Sequence, residues 1–224
     1  MTFLSRFEVV LFDLNGTLST DFDRFNRCQD YHRTYSRLGG TALSPAAVTE
    51  AVEASLGRCL QRYEDGPWDP FPDYGEFLDM DDPDQRRLLE DTVAEHELGS
   101  VSAERLSWLK TLAGTHRLGL VSDVWAPGRR LRSYLSRSEL AGLFDVIILS
   151  SEVGAVKPSA RVFALALAGL GANPESVVFI GDSYRRDVEG AAACGMATVW
   201  VSEERAAPGT VAPDRIVARV EELL

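Results

Sequence analysis

Cysteine and long apolar runs are both scarce in this sequence. Its three cysteines lie far apart, are odd in number and form no CxxC pair, so neither a disulfide framework nor a zinc site is indicated. No apolar run reaches the roughly 18 residues of a membrane span. The first residues also lack the basic stretch, apolar core and cleavage site of a secretion signal. We therefore expect a cytoplasmic protein with reduced thiols and no membrane partner.

Positive charge is the second shortage. The chain carries 23 Lys and Arg against 34 Asp and Glu, which gives a formal net charge of −11. A uniformly acidic surface disfavours non-specific binding to nucleic acid or to anionic membranes. We therefore expect no nucleic-acid partner, and an anionic small molecule could bind only in a locally positive pocket.

Short aliphatic runs alternate with helical stretches over most of the 224 residues. The runs are nearly continuous Val, Ile, Leu and Phe, a pattern typical of parallel strands buried on both faces. Strands are predicted at 7–13, 117–123, 144–150, 176–182 and 197–202, and helices at 102–113, 127–135, 157–170 and 184–194. Strand followed by helix, repeated, predicts an α/β fold with a Rossmann-like open parallel sheet.

Residues 19–99 break this alternation. They contain no convincing buried strand, and the apolar spacing predicts helices at 22–38, 45–63 and 83–98. We therefore expect a core domain of residues 1–18 and 100–224, with a helical domain of residues 19–99 inserted directly after the first strand.

Polar side chains with useful chemistry lie at the ends of the predicted strands. In an open parallel sheet, ligands bind outside the carboxyl ends of the strands, so these groups should converge on one crevice. The strand-end residues are Asp13, Ser122, Asp123, Asp182 and Asp187, together with Lys157 at the start of a helix.

The chemistry of these residues is complementary. A carboxylate such as Asp13 can attack phosphorus and form an acyl phosphate. Asp182 and Asp187 offer the hard oxygen ligands that Mg²⁺ prefers, and Lys157 supplies a positive charge for phosphoryl oxygens. The hydroxyl of Ser122 can hydrogen-bond a phosphate. Because phosphoryl transfer depends mostly on positioning and charge stabilisation, the set predicts Mg²⁺-dependent chemistry on a small phosphorylated molecule.

Four segments, FDLNGTL, LVSD, VKPSARVF and GDSYRRD, occur in this order along the chain. In order and spacing they resemble the four motifs of the haloacid dehalogenase-like hydrolases. The resemblance covers residues 7–201 and implies a Rossmann-like core and Mg²⁺-dependent phosphatase activity. The inserted helices look like that family's cap in the subfamily that carries it after the first motif.

The resemblance implies a role for each matching residue. Asp13 matches the nucleophile, Ser122 the phosphate-binding hydroxyl, and Lys157 the lysine that steadies the nucleophile and the phosphoryl group. Asp182 matches a direct magnesium ligand. Asp187 matches the second acidic position, which supports the metal or the lysine.

Asn15 departs from the family's pattern. Phosphatases of the family usually have an aspartate two residues after the nucleophile, which protonates the leaving oxygen and then activates water. An amide can do neither, and loss of a general acid–base group typically costs about 10²–10⁴-fold in rate. The backbone carbonyl of Asn15 still matches the one that completes the magnesium site. If another group replaces the missing aspartate, Asp123, which we expect at the crevice mouth as a substrate-binding residue, is the first candidate.

Four interpretations of this departure stay open. The protein is a slow or atypical phosphatase, an Asp-to-Asn variant made to trap a complex, a phospho-ligand-binding protein without turnover, or a dehalogenase-like enzyme that attacks carbon. The last ranks low, because the dehalogenases carry a tyrosine at this position and work without metal, whereas Gly181-Asp182 suits magnesium. We also hypothesise that one of four arginines in the insertion reaches the substrate: Arg24, Arg27, Arg33 or Arg37.

Overall fold

A computed structural model describes residues 2–26, 28–204 and 206–224. In these residues six parallel strands form one sheet in the order β3-β2-β1-β4-β5-β6. The strands are β1 Val9–Phe12, β2 Arg117–Ser122, β3 Val146–Leu149, β4 Val177–Gly181, β5 Ala197–Val201 and β6 Arg215–Val217. The predicted α/β, Rossmann-like sheet is confirmed, and β6 is an edge strand that the sequence pattern did not predict.

The helices alternate with the strands outside the insertion. They are α1 Tyr31–Arg37, α2 Pro45–Asp65, α3 Pro83–Glu97, α4 Ala103–Ala113, α5 Gly128–Arg137, α6 Ser150–Val153, α7 Ala160–Leu170 and α8 Gly190–Ala193. Ser102 caps α4, since its side chain accepts a hydrogen bond from the backbone N–H of Arg105. Among the described residues, no helix combines the length and the apolar character needed to cross a bilayer.

The sheet separates two hydrophobic clusters because successive strand residues point to opposite faces. In β1, Val10 and Phe12 pack into the cluster that includes α4 and α5, whereas Val9 and Leu11 pack into the cluster that includes α7. All four side chains are buried. Burial on both faces explains why the strand reads as an unbroken apolar run.

The insertion between β1 and β2 packs around a third cluster of its own. Tyr35, Val52 and Leu89, from α1, α2 and α3, are all fully buried there. Where the chain enters and leaves this region, Thr20 and Ser100 exchange two backbone hydrogen bonds, of 2.9 and 2.8 Å. The insertion therefore begins and ends at one paired position.

The predicted helix at 22–38 is wrong in its first half. In the described part of 22–30 the chain is irregular, and α1 begins only after Asp30, whose side chain caps it. Asp21 and Asp23 adopt φ values of 54° and 48°, a left-handed conformation that cannot continue a right-handed helix.

Two further helix predictions need correction. Helix α7 starts after its cap, Ser159, and not at Lys157. The segment predicted as a helix at 184–194 consists of a π-helical turn, Tyr184–Glu189, followed by the short α8.

Candidate active site

Three carboxylates meet where the sheet order reverses. β1 and β4 are neighbours although they are distant in sequence, which is the switch point where open α/β sheets bind ligands. Asp13 follows β1, Asp182 follows β4, and Asp187 lies in the π-helical turn after it. Each offers an oxygen, and the three oxygens lie within 4.8 Å of one another. The sequence prediction that these residues converge holds in the structure.

The turn after β1 packs closely against the Asp182 carboxylate. Gly16 has a φ of 84°, and a Cβ atom at this position would lie 2.4 Å from Oδ2 of Asp182. The neighbouring hydroxyl of Thr17 donates to Oδ1 of Asp182 at 3.3 Å. Only glycine fits both the backbone conformation and the close approach of the two strand ends.

Asp187 is fixed by the backbone around β4. The N–H of Ser183 donates to its Oδ2 at 2.8 Å. A Cβ atom on Gly181 would lie 2.3 Å from the Asp187 carboxyl carbon, so the strand end and this side chain are in direct contact. The side chain is almost wholly buried, at 1% exposure.

Lys157 lies between two of the carboxylates. Its Nζ donates to Oδ1 of Asp13 and to Oδ1 of Asp187, both at 2.7 Å. Its backbone N–H donates to Oδ1 of Asp123 at 3.0 Å. Burial opposes protonation of the lysine, but the surrounding carboxylates Asp13, Asp187 and Asp123 outweigh it and raise the Lys157 pKa. The amine is therefore held as a cation.

The carboxylates carry more charge than one lysine can balance. Burial raises the pKa of Asp13 well above its usual range, and the charges of Asp187 and Asp182 add to this rise while Lys157 opposes it. Burial and the nearby Asp187 likewise raise the pKa of Asp182. Three clustered carboxylates facing one lysine are the all-oxygen, anionic donor set that suits a hard divalent cation such as Mg²⁺. The residues present therefore fit a magnesium ion.

The other predicted residues take up different positions. The Asn15 side chain accepts a hydrogen bond from the Ser19 hydroxyl at 2.8 Å. Asp123 has both oxygens engaged, because Oδ2 accepts from the Tyr63 hydroxyl at 2.5 Å and Oδ1 from the Lys157 backbone. Ser122 is 1% exposed, and its hydroxyl contacts the Asp123 carbonyl at 3.4 Å. Asp123 is therefore less free to exchange protons than the sequence suggested.

A cavity of about 260 Å³ opens over the carboxylates, between the sheet and the insertion. All seven predicted site residues except Ser122 line it. Sequence reasoning missed Tyr63 and Asp23 from the insertion and Arg186 from the core. Arg186 is the residue before Asp187 in the GDSYRRD segment, a position that could have suggested it.

Arg186 of the core lines the cavity, whereas the arginines hypothesised to reach the substrate belong to the insertion. Its guanidinium lies 3.8 Å from the ring centroid of Tyr63 and donates to Glu64 at 2.7 Å. Arg24 and Arg37, in contrast, both donate to Glu95 on α3. Arg27 lies outside the described residues. Among those described, the cavity's lining arginine therefore comes from the core and contacts α2 of the insertion.

Asp23 is the carboxylate of the insertion that lines this cavity. Its side chain is exposed to the cavity solvent but has protein on most sides. Burial and the nearby Asp182 raise the pKa of Asp23 to about 6. A solvent-accessible carboxyl that titrates near neutrality can both give and take a proton.

Comparison with known sequences agrees with this geometry. A family model described as haloacid dehalogenase-like hydrolase matches residues 10–201. The chain is 31% identical over 121 residues to pyrimidine 5'-nucleotidase YjjG of Escherichia coli, a match covering 53% of this chain and 52% of that protein. It is 40% identical over 70 residues to phosphoserine phosphatase of Thermus thermophilus, covering 31% of this chain and 28% of the relative. The chain thus matches about half, or less, of these curated relatives.

Solved structures match over nearly the whole chain. A HAD phosphatase from Thermococcus onnurineus superimposes with a TM-score of 0.64 and 28% identity, covering 96% of this chain and 95% of that one. A 2-haloacid dehalogenase from Pseudomonas syringae has a TM-score of 0.67 and 20% identity, with 97% and 96% covered. The similarity to the dehalogenase, at 20% identity, supports the fold alone.

Proposed function

Because the chain belongs to the haloacid dehalogenase-like hydrolases, we propose that it hydrolyses phosphate monoesters of small molecules with Mg²⁺, through an acyl phosphate on Asp13. One observation carries the proposal. Lys157 Nζ bridges Asp13 and Asp187, with the Asp182 carboxylate beside them. This arrangement presents a nucleophilic carboxylate, a fixed cation and a divalent-metal site to one cavity.

Each residue of the cluster has a distinct part in the proposed reaction. Asp13 attacks the phosphorus atom and displaces the alcohol, whose oxygen takes a proton, and water then cleaves the acyl phosphate to release inorganic phosphate and regenerate Asp13. Lys157 neutralises charge on Asp13 and on the phosphoryl oxygens. Asp187 holds the lysine, the role favoured by its hydrogen bonds to Lys157 and Ser183. A magnesium ion held by Asp13, Asp182 and the backbone carbonyl of Asn15, with Asp187 behind them, would neutralise the phosphoryl charge.

The proposal needs a proton donor other than Asn15. Asp23 is the better-placed carboxyl, since it lines the cavity and its pKa of about 6 leaves it partly protonated near neutrality. Asp123 has its oxygens occupied by Tyr63 and Lys157. In this proposal, residues 19–99 act as a cap domain that brings Asp23 over the core residues.

A second candidate function is the binding of a phosphorylated ligand without turnover. The observation that favours it is the hydrogen bond between Asn15 and Ser19, which holds an amide where the family's phosphatases carry an acid. The relatives named as phosphatases support hydrolysis instead. Turnover measurements separate the two.

The test is hydrolysis of p-nitrophenyl phosphate with Mg²⁺ or with EDTA. We expect Mg²⁺-dependent turnover that Asp13→Asn abolishes. If Asp23 supplies the proton, Asn15→Asp should change the rate little, whereas a rise of about 10²–10⁴-fold would show that Asn15 blocks the reaction and that Asp23 does not replace the missing acid. Stabilisation of the protein by phosphate without turnover in either background would favour the binding function. Turnover that persists in EDTA would overturn the magnesium mechanism.

A further inference from the structure

A second chamber adjoins the cavity over the carboxylates. It has a volume of about 430 Å³ and lies within the insertion, between α2, the start of α1 and the loop after β2. The two spaces share three wall residues, Asp23, Leu60 and Trp125. These three side chains form the junction between the two spaces.

The walls of this chamber are mainly apolar and aromatic. Phe25, Tyr31, Leu56 and Trp125 line it. Leu60, at the junction, is 47% exposed although it is a large hydrophobic side chain. Exposed apolar surface inside a concave site usually marks ligand contact.

The charged groups in the wall of the chamber are acidic. Glu53 and Asp23 place two carboxylates in the wall, and the described lining residues include no lysine or arginine. A second phosphate or carboxylate on a ligand would lose its hydration there without gaining a cation partner among the described residues of the wall. The phosphoryl cavity, in contrast, has Lys157 and Arg186.

We propose that this chamber binds the leaving group of the substrate, and that the substrate is a phosphate monoester of an aromatic or similarly bulky apolar alcohol without a second anionic group. The inference rests on the proposed function, whose phosphoryl site it extends. With the phosphoryl group at Asp13 and the leaving group in the chamber, the ester oxygen of the substrate would lie at the junction of the two spaces, beside Asp23.

Gly57 offers a direct way to fill the chamber. It lies on α2, lines the chamber and is exposed, and a Cβ atom added there meets no atom within 4 Å. Gly57→Leu therefore adds a bulky side chain at the chamber wall, where its Cβ atom has space, and replaces a residue unfavourable in helices. Ala54→Leu is the matched control, since Ala54 lies on the same helix, is exposed and lines a different surface hollow.

Binding of non-hydrolysable phosphonates tests the chamber without turnover. With Mg²⁺ present, calorimetry compares methylphosphonate, benzylphosphonate, its 4-carboxy derivative and 2-naphthylmethylphosphonate. We expect the naphthyl compound to bind at least about tenfold more tightly than methylphosphonate, because its ring leaves water for an apolar wall. The 4-carboxy compound should bind more weakly than benzylphosphonate. Gly57→Leu should remove the naphthyl advantage and leave methylphosphonate binding unchanged, whereas Ala54→Leu changes neither.

The outcomes separate the two proposals. Equal affinity for the naphthyl and methyl compounds, or a naphthyl advantage that survives Gly57→Leu, overturns the chamber proposal even if p-nitrophenyl phosphate is hydrolysed. A preference for the 4-carboxy compound overturns the charge argument. If the binding pattern holds but no Mg²⁺-dependent hydrolysis is found with Asn15 or with Asn15→Asp, the proposed hydrolysis fails while the chamber stands as an apolar binding site.

Discussion

Glu97 is a buried acid whose ionisation should weaken the fold. It is the last residue of α3 and is 2% exposed, and its carboxyl accepts backbone hydrogen bonds from Trp125 at 2.5 Å and Ala126 at 3.1 Å. Burial raises the pKa of Glu97 to about 8, against the opposing effect of these two hydrogen bonds. Its position at the negative end of the helix dipole works in the same direction as burial.

The stability effect follows from the two pKa values. The pKa of Glu97 is 4.5 in the unfolded chain and about 8 in the folded protein. As the pH rises, the unfolded chain therefore releases this proton at a lower pH than the folded protein does. The stability that the protonated Glu97 contributes is therefore fully present below about pH 4.5 and is lost as the pH rises toward about 8. At about 1.4 kcal/mol for each pH unit between these values, the loss from about pH 5 to about pH 8 is about 3–4 kcal/mol.

Urea unfolding of the unmodified protein and Glu97→Gln across this pH range isolates the effect. Other titrating groups cancel in the difference between the two proteins, so the unmodified protein should lose about 3–4 kcal/mol relative to the variant from about pH 5 to about pH 8. The exposed Glu104 provides the control Glu104→Gln, whose difference should stay nearly flat. A flat difference for Glu97→Gln as well would show that the two N–H groups stabilise an ionised carboxylate, and the reasoning would be refuted.

Three further predictions concern the cavity over the carboxylates. Lys157→Met should abolish phosphate-ester hydrolysis and lower the free energy of unfolding by about 3–5 kcal/mol, because Asp13 and Asp187 lose their buried partner; urea unfolding near that of the unmodified protein would contradict this. Gly16→Ala should cost about 1–3 kcal/mol and raise the Mg²⁺ concentration needed for activity, because it strains the backbone and displaces Asp182; a Mg²⁺ titration checks it, with Gly142→Ala, which meets open space, as control. For phenyl phosphate, kcat/KM should fall as pH rises above about 6 while Asp23 loses its proton, and Asp23→Asn should remove this dependence; an unchanged profile would exclude Asp23 as the donor.

The site residues that belong to the core could be predicted because they come directly after strands in the sequence. Once five aliphatic runs are assigned to a parallel sheet, Asp13 and Asp182 must emerge at the same edge, and their chemistry limits what they can do. β6 escaped prediction because three residues at a sheet edge, Arg215–Val217, bury only Val217 fully. Short strands with one buried position leave little hydrophobic pattern.

The half of the site contributed by the insertion could not be predicted in the same way. Tyr63 lies on a helix that was predicted correctly, yet its contact with Asp123 depends on how α2 packs over the sheet. Asp23 was assigned to a helix, and its left-handed backbone places it at the cavity instead. Such positions follow from tertiary packing, which overrides local propensity.

The paired bridge between Thr20 and Ser100 also bears on how this chain can vary. Because the two ends of the intervening segment meet at one point, the distance that segment must span is fixed and does not depend on its length. Lengthening the segment changes the entropy of loop closure only slowly, so the core strands can keep their register while the helices between these residues are enlarged, shortened or exchanged. The part of the cavity wall that the insertion supplies can therefore be remodelled, by evolution or by design, while β1 and β2 keep their pairing.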